Sequence, residues 1–538
     1  AGAKLILGST AKFRTLVTYL DIIARLHDRH AEASAAELRK LTGRDTDALT
    51  RWVAGYMVTA KDKSLQPILD AAMQRRYSSN PGERFFTGGG VHSFSNFQRS
   101  DNGKNPTVED AVTTSNNLAF IRIMRDIRDF YLDEEERNAD KEGAQATLRT
   151  DYLTRFADQE GKTYLNRFYD EFKGKAPDAV LTAMVNKTRK VPRRLAIVYR
   201  SMKPEASEAD LRQFLYKALP KSKLTPKAIA SLYDGAAIDK YSLADRAYLA
   251  GVHPLQLWLA AYLQDHPGAT RTEVTEARVA ERQDAYAWLF KTKSARKQDV
   301  RIRVLREQDA FRQIHLDWRK QGYPFAFLVP SLATAIGSSG DRPEALAHLM
   351  GIIMNDGVEL PTVKIEKLSF AAGTPYETEL AIEPEAPRRV FPSEVASTAR
   401  RALANVVAEG TGVRFRGVYH DEHGQPLVVG GKTGTGDNRF DSYRNGRQLS
   451  SSRVVDRTAT FVFFLGDRYY GTVTAYVSGA AAARYKFTSA LAVQLLKSMA
   501  PQLQPLIDKA PAPTIAVVKQ DIQPAGVVPA TFQPVANR

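Results

Sequence analysis

The chain has 538 residues, 76 of them basic and 60 acidic, giving a net charge of +16, and it contains no cysteine. Its length allows two or three domains with sizeable cores. The missing cysteines exclude disulfides and thiolate metal sites, and no run of about 18 apolar residues exists to form a membrane-spanning helix. The basic excess favours an anionic partner such as a carboxylate-bearing polymer or an acidic membrane face. Nucleic acid is disfavoured, because aromatic residues do not interleave with the basic ones.

In chain order, Ser9-Thr10-Ala11-Lys12 opens a predicted amphipathic helix with Phe13, Leu16, Val17, Leu20 and Ile23 at helical spacing. Ser9 and Lys12, three apart, fall on one helix face in line with Phe13 and Leu16. Burial there favours a neutral amine, as a general base requires. Ser294-Ala295-Arg296-Lys297 repeats the SxxK spacing in a charged stretch and reads as a solvated face. Ser115-Asn116-Asn117 precedes the apolar run from Leu118 to Ile121, so Ser115 fits both an N-cap and a site serine. Ser78-Ser79-Asn80 is followed by Pro81-Gly82 and reads as a turn.

From about Tyr131 the chain is helical by pattern, charged, and punctuated by Pro192, Pro204, Pro220, Pro226, Pro254 and Pro267. Trp258, Trp288 and Trp318 are evenly spaced, but their surroundings do not repeat. Arg189-Lys190-Val191-Pro192-Arg193-Arg194 reads as a solvated loop. No HExxH or comparable spacing occurs, so neither a metal nor another cofactor is expected. Later come predicted helices over residues 345–354, 393–408 and 489–499, and predicted strands over 458–465 and 472–477. The segment 501–538 is rich in Pro, Ala, Val and Gln and reads as a disordered tail.

The stretch that gathers these pieces is Gly430-Gly431-Lys432-Thr433-Gly434-Thr435-Gly436, entered from the apolar Leu427-Val428-Val429. Its glycines leave little bulk where a strand meets a substrate, and its lysine and hydroxyls suit an anionic group on an extended peptide. A phosphate loop is excluded, since Pro426 stands where that motif needs glycine. The order SxxK, SxN, KTG is the triad of penicillin-interacting serine enzymes.

With these residues in place, the chain resembles the transpeptidase domain of bifunctional (class A) penicillin-binding proteins. Leu7-Gly8-Ser9-Thr10-Ala11-Lys12 lacks only the proline of the family's PGSTxK. Thr107-Val108-Glu109-Asp110-Ala111 precedes the SxN serine as in the family. Pro330-Ser331-Leu332-Ala333 with Gly337 is similar to its PSxAxG segment, and Glu409-Gly410-Thr411-Gly412 to its EGTG. The resemblance implies an α+β fold, an antiparallel sheet flanked by helices, divided as 1–130 and 323–500 around a long helical insertion at 131–322. Family members have a far shorter link in the position of that insertion.

The resemblance also implies a chemistry. Ser9 attacks a D-alanyl-D-alanine stem peptide with Lys12 as base, and Ser115 relays a proton helped by a charged Lys432. Asn117 holds the peptide amide, and Thr433 and Thr435, flanking Gly434, bind the terminal carboxylate. The N–H groups of Ser9 and Thr435 form the oxyanion hole. The expected activity is a penicillin-inhibited D,D-transpeptidase on the extracytoplasmic face of a bacterial inner membrane. Its partners are peptidoglycan stem peptides and β-lactams. A membrane anchor and a glycosyltransferase are expected upstream of Ala1, along with the first strands of the sheet, which leaves an open sheet edge in this chain. The alternatives are a D,D-carboxypeptidase or endopeptidase, and a non-catalytic β-lactam sensor or scaffold. A class A β-lactamase is disfavoured, because Leu165-Asn166 has Lys162 where the deacylating glutamate belongs.

Overall fold

A computed structural model describes residues 3–141, 145–275, 282–283, 285–286, 295–363, 365, 367–381, 385–444 and 448–508. The chain forms two compact units, residues 1–135 with 307–538, and residues 136–306. The second SxxK match, at Ser294, and Trp288 fall outside the described residues.

In the first unit, α1 (Ala11–Arg29) follows a 3₁₀ turn over Gly8–Thr10. Sequence periodicity predicts a single apolar stripe, but α1 is buried on every side from Ala11 to Leu20, Lys12, Arg14, Thr15 and Thr18 included. Its polar groups are each matched. Thr15 and Thr18 donate to the carbonyls of Ala11 and Arg14, at 3.1 and 2.9 Å. Arg14 is held by Asp341 (Nε–Oδ2 2.6 Å) and donates to the carbonyls of Gln321 and Ala345. Such matching lets a helix with polar residues on all faces occupy a core.

Helix α2 (Val108–Thr113) begins with a capping box in which Thr107 and Asp110 satisfy each other's backbone N–H. Three residues, 114–116, lead to α3 (Asn117–Lys141). The cap of α3 is Asn116, whose Oδ1 accepts from the Ala119 N–H at 3.0 Å. Ser115 is therefore not the N-cap, and its side chain is left for other contacts. Ser78-Ser79-Asn80 forms the predicted turn: the N–H groups of Asn80 and Gly82 donate to the side chains of Ser78 and Asn80.

The second unit is helical, with its own apolar core built from Leu165, Phe172, Met184, Leu195, Leu211, Leu257 and their neighbours. After Gln145–Phe172 come α4 (Pro177–Lys187), α5 (Pro192–Met202), α6 (Glu208–Ala218), α7 (Pro226–Gly235) and the helices Leu243–Ala250 and Pro254–Asp265. Pro177, Pro192, Pro226 and Pro254 sit at the first helical position, where the missing N–H costs nothing. They start helices rather than breaking them. Trp258 packs against this core and Trp318 against that of the first unit, so the spacing of the tryptophans marks no repeat.

The first unit resumes with α8 (Pro343–Met354) and α9 (Ser393–Ala408), both close to the predicted ranges. Two small hairpins lie between them, Val358–Glu359 with Arg388–Arg389 and Lys367–Phe370 with Thr378–Ala381. Then β1 (Val429–Arg444), β2 (Gln448–Leu465) and β3 (Tyr469–Ser478) form an antiparallel sheet in the order β1-β2-β3. Alternate residues of β2 serve two cores. Val462 and Phe464 join the core containing α1, α8 and α9, while Ala459, Phe461 and Leu465 pack on α10 (Ala490–Ser498). The architecture is α+β. This sheet has three strands among the described residues, so β1 and β3 each have one edge without a strand partner. Where composition predicts a tail, α11 (Ala500–Asp508) continues the fold, and the rest of that segment lies outside the described residues.

Arg14 and Asp341 tie the helix bearing Lys12 to the start of α8. Removing one partner of a buried ion pair strands the other charge, at a cost of about 3–5 kcal/mol. Asp341→Ala is expected to lose roughly that much stability by urea melting, whereas the paired change Arg14→Met with Asp341→Leu recovers most of it.

Candidate active site

The site is assembled by close backbone packing. Gly8 has a left-handed φ of +57°, and a Cβ there would lie 2.0 Å from the carbonyl oxygen of Thr435. Gly434 is restricted from the other side, since a Cβ on it would come 2.2 Å from the carbonyl oxygen of Leu7. Only glycines allow the turn before α1 to lie directly on β1. The Thr458 hydroxyl on β2 fixes the same segment by donating to the Ile6 carbonyl at 2.6 Å. Gly337 of the PSxAxG segment abuts Gly8. Three sequence motifs thus meet at one backbone crossing, with Ser9 half-buried at its centre.

Lys12 is fully buried one turn into α1, and its Nζ reaches Ser115 Oγ at 3.1 Å, Asn117 Oδ1 at 2.8 Å and the Ser115 carbonyl. Lys432, fully buried on β1, reaches Ser115 Oγ at 2.8 Å and the Thr433 carbonyl at 3.1 Å. The structure therefore brings Lys12, Ser115, Asn117 and Lys432 together. Ser9 lies one turn from Lys12, but its hydroxyl is bonded to neither lysine. Catalytic contacts are commonly loose without substrate and tighten in the complex. Ser115 holds a φ of +58°, rare for a residue with a Cβ, which turns its hydroxyl between the two amines.

Burial disfavours the charged form of both lysines. For Lys12, desolvation drives the pKa well below the ordinary value, the neighbouring Lys432 adds to this, and Asp101 opposes it. For Lys432, desolvation lowers the pKa to about 7. Burial therefore works against the charge expected on Lys432. Two buried ammonium groups around one hydroxyl, with no carboxylate in contact, would be prohibitively costly. The cluster is suited to carry at most one extra proton between its amines, and a neutral Lys12 can take that proton up.

Thr433 and Thr435 are differently placed. Thr433 is buried and shares a hydrogen bond with Thr411 (Oγ1–Oγ1 2.7 Å), while Thr435 is partly exposed and accepts from the Ser489 N–H at 2.8 Å. An anion would meet Thr435 first. Thr411 also donates its N–H to the Thr113 carbonyl at 3.2 Å, at the end of α2. The EGTG segment therefore joins the strand of Lys432 to the turn of Ser115. Sequence reasoning noticed that motif without giving Thr411 a role. It missed Asp101, for which no local pattern exists, and the Ser95 carbonyl, which receives Asn117 Nδ2 at 3.0 Å.

A lysine whose folded pKa lies below its unfolded value binds fewer protons folded than unfolded across the interval between them. Stability then rises with pH from about 7 to the ordinary 10.5. Urea melts should show this rise for the parent protein. Lys432→Met should make the rise shallower, leaving the part due to Lys12, and be more stable than the parent at neutral pH, despite losing two hydrogen bonds.

No family model matches the chain, and no curated protein matches it. Solved structures do. Penicillin-binding protein 3 of Mycobacterium tuberculosis, complexed with aztreonam, is 20% identical over 38% of this chain and 48% of its own, with a TM-score of 0.27. This chain thus spans about half of that protein's length. The D,D-transpeptidase domain of a peptidoglycan glycosyltransferase from Eggerthella lenta is 14% identical over 93% of this chain and 67% of its own, with a TM-score of 0.32. Penicillin-binding protein A of M. tuberculosis, an imipenem acyl-enzyme, is 10% identical over 93% and 61%, with a TM-score of 0.33.

Proposed function

We propose that this site performs serine acyl transfer on D-alanyl-D-alanine stem peptides and is acylated by β-lactams. The observation that carries the reading is the single hydroxyl of Ser115 held between two desolvated lysines, beside a serine seated on the strand of Lys432. Lys12 donates to the Ser115 carbonyl, to Asn117 Oδ1 and to Ser115 Oγ. Lys432 donates to the same oxygen. A proton can therefore pass along Lys432, Ser115 and Lys12 without any side chain leaving the site.

The reaction follows from that arrangement. Ser9 Oγ attacks the penultimate carbonyl as Lys12 takes its proton, and the backbone N–H groups of Ser9 and Thr435 receive the oxyanion. As the C–N bond breaks, Ser115 delivers a proton to the departing D-alanine amine and is reprotonated from the lysines. The terminal carboxylate lies against Thr435 and Thr433, Gly434 keeps the strand face open, and Asn117 Nδ2 holds the peptide amide. An extended peptide fits the free edge of β1 by strand addition. The amine of a second stem peptide then displaces Ser9, closing the cross-link. Water in its place gives a D,D-carboxypeptidase or endopeptidase with the same residues. The combined SxxK, SxN, KTG, PSxAxG and EGTG segments support the finer assignment, a class A transpeptidase acting outside the cytoplasm. Intact Ser9, Lys12 and Lys432 argue against a mere sensor or scaffold.

A fluorescent penicillin should label the protein covalently at Ser9. Ser9→Ala abolishes labelling, Lys12→Ala slows it about a thousandfold or more, and Thr435→Val weakens it while the backbone donor remains. Ser294→Ala leaves it unchanged. Stoichiometric labelling of folded Ser9→Ala protein would refute the assignment.

A further inference from the structure

Residues 136–306 hold 32 of the chain's 76 basic residues but 21 of its 60 acidic ones, so this unit carries most of the net charge of +16. The excess is concentrated. Helices α5 and α6 pack on one another through the stacked rings of Tyr199 and Phe214, 4.3 Å apart, and the connections 203–207 and 219–225 are short. Tyr233, near the end of α7, donates to the Ala206 carbonyl at 3.2 Å and lies under the Arg200 guanidinium at 4.2 Å. The end of α5, the start of α6 and the end of α7 therefore lie together. The end of α6 and the start of α7 are joined by the Tyr216 hydroxyl, which donates to the Leu224 carbonyl at 3.4 Å, and the start of α5 also lies away from the first pole.

The second pole carries Arg189, Lys190, Arg193 and Arg194 from the approach to α5, and Lys217, Lys221, Lys223 and Lys227 around the α6–α7 connection. No Asp or Glu occurs in residues 179–204 or 211–233, whereas Glu205, Glu208, Asp210 and Asp234 collect at the first pole. All eight cations except Arg194 are exposed, and none forms an ion pair among the described residues. Arg193, Arg194 and Lys227 occupy first turns that contain no acidic residue. Helix N-termini favour anions, so helix stability does not account for cations there. The Arg189–Arg194 run reads from sequence as a solvated loop, but it opens a helix that packs on α6, whose far end carries a second basic run.

We propose that this pole is a docking surface for an anionic phospholipid bilayer. Charge complementarity carries the choice: headgroup phosphates need neither a shaped pocket nor a fixed spacing, only a face free of carboxylates. Residues 188–194 and 217–227 contain no aromatic ring, and the exposed Tyr216 beside them is one ring rather than the succession of stacking faces a polynucleotide uses. Leu219 and Leu224, half-buried among the lysines, sit where headgroups would cover them.

The full chain should sediment with vesicles of phosphatidylcholine containing phosphatidylglycerol, but not with phosphatidylcholine alone, and less so as salt is raised. Each cation near such a surface is worth about fivefold in partitioning. Replacing Arg189, Lys221, Lys223 and Lys227 by Gln should therefore lower it at least about tenfold, with the circular dichroism unchanged. The same substitution at four exposed cations of the other unit, Lys40, Lys61, Lys63 and Arg84, removes equal charge and should leave partitioning within about twofold. Ser9→Ala should bind as the parent does, which separates this surface from the acyl-transfer chemistry. Equal losses in the two quadruple variants, equal binding to neutral vesicles, or binding to duplex DNA without vesicle binding would each overturn the proposal.

Discussion

Two lysine amines buried around one serine hydroxyl set the terms for the first unit. Each would ordinarily keep its water, and each gives it up only because the surrounding structure over-determines its position. Lys12 cannot reach Ser115 unless α1 runs through the core, and α1 can do so only with Arg14, Thr15 and Thr18 satisfied internally. Lys432 cannot meet it from the other side unless β1 lies directly against residues 6–10. The left-handed turn at Ser115 is the local strain this convergence imposes.

The convergence also shows why the flanking motifs recur together. Gly337 backs the turn before α1, while Thr411 links Thr433 on β1 to Thr113 at the end of α2. Neither touches an amine. Both hold the chain segments between which the amines are desolvated, so the chemistry of two residues depends on the placement of several others far away in sequence.

Much of this was legible before folding. The glycine-rich strand, α8 and α9, and the proximity of Ser9 to Lys12 follow from period and spacing, which are local properties. What escaped depends on partners distant in sequence. Periodicity gave α1 one apolar face, because nothing near Arg14 announces Asp341. Nor does sequence show how far Lys432 is desolvated, because burial on β1 is decided by strands and helices not adjacent to it. Ser115 could have been a cap, and only the bond from Ala119 to Asn116 settles which residue is. The prolines of the second unit looked like interruptions, since a sequence does not show whether a proline stands within a helix or at its first position. The basic pole formed by α5, α6 and α7 needs the packing of those helices to bring its halves together.

The crossing of residues 6–9 over β1 is a contact between two main chains. Substitution changes side chains, and at this crossing even a methyl group finds no room. A ligand seated here would therefore rest on ground that point mutation can scarcely reshape. Substitutions that alter it would have to lie outward, at residues such as Thr411 and Ser489 that grip the strand from behind. Their effect would arrive as a slight drift of β1.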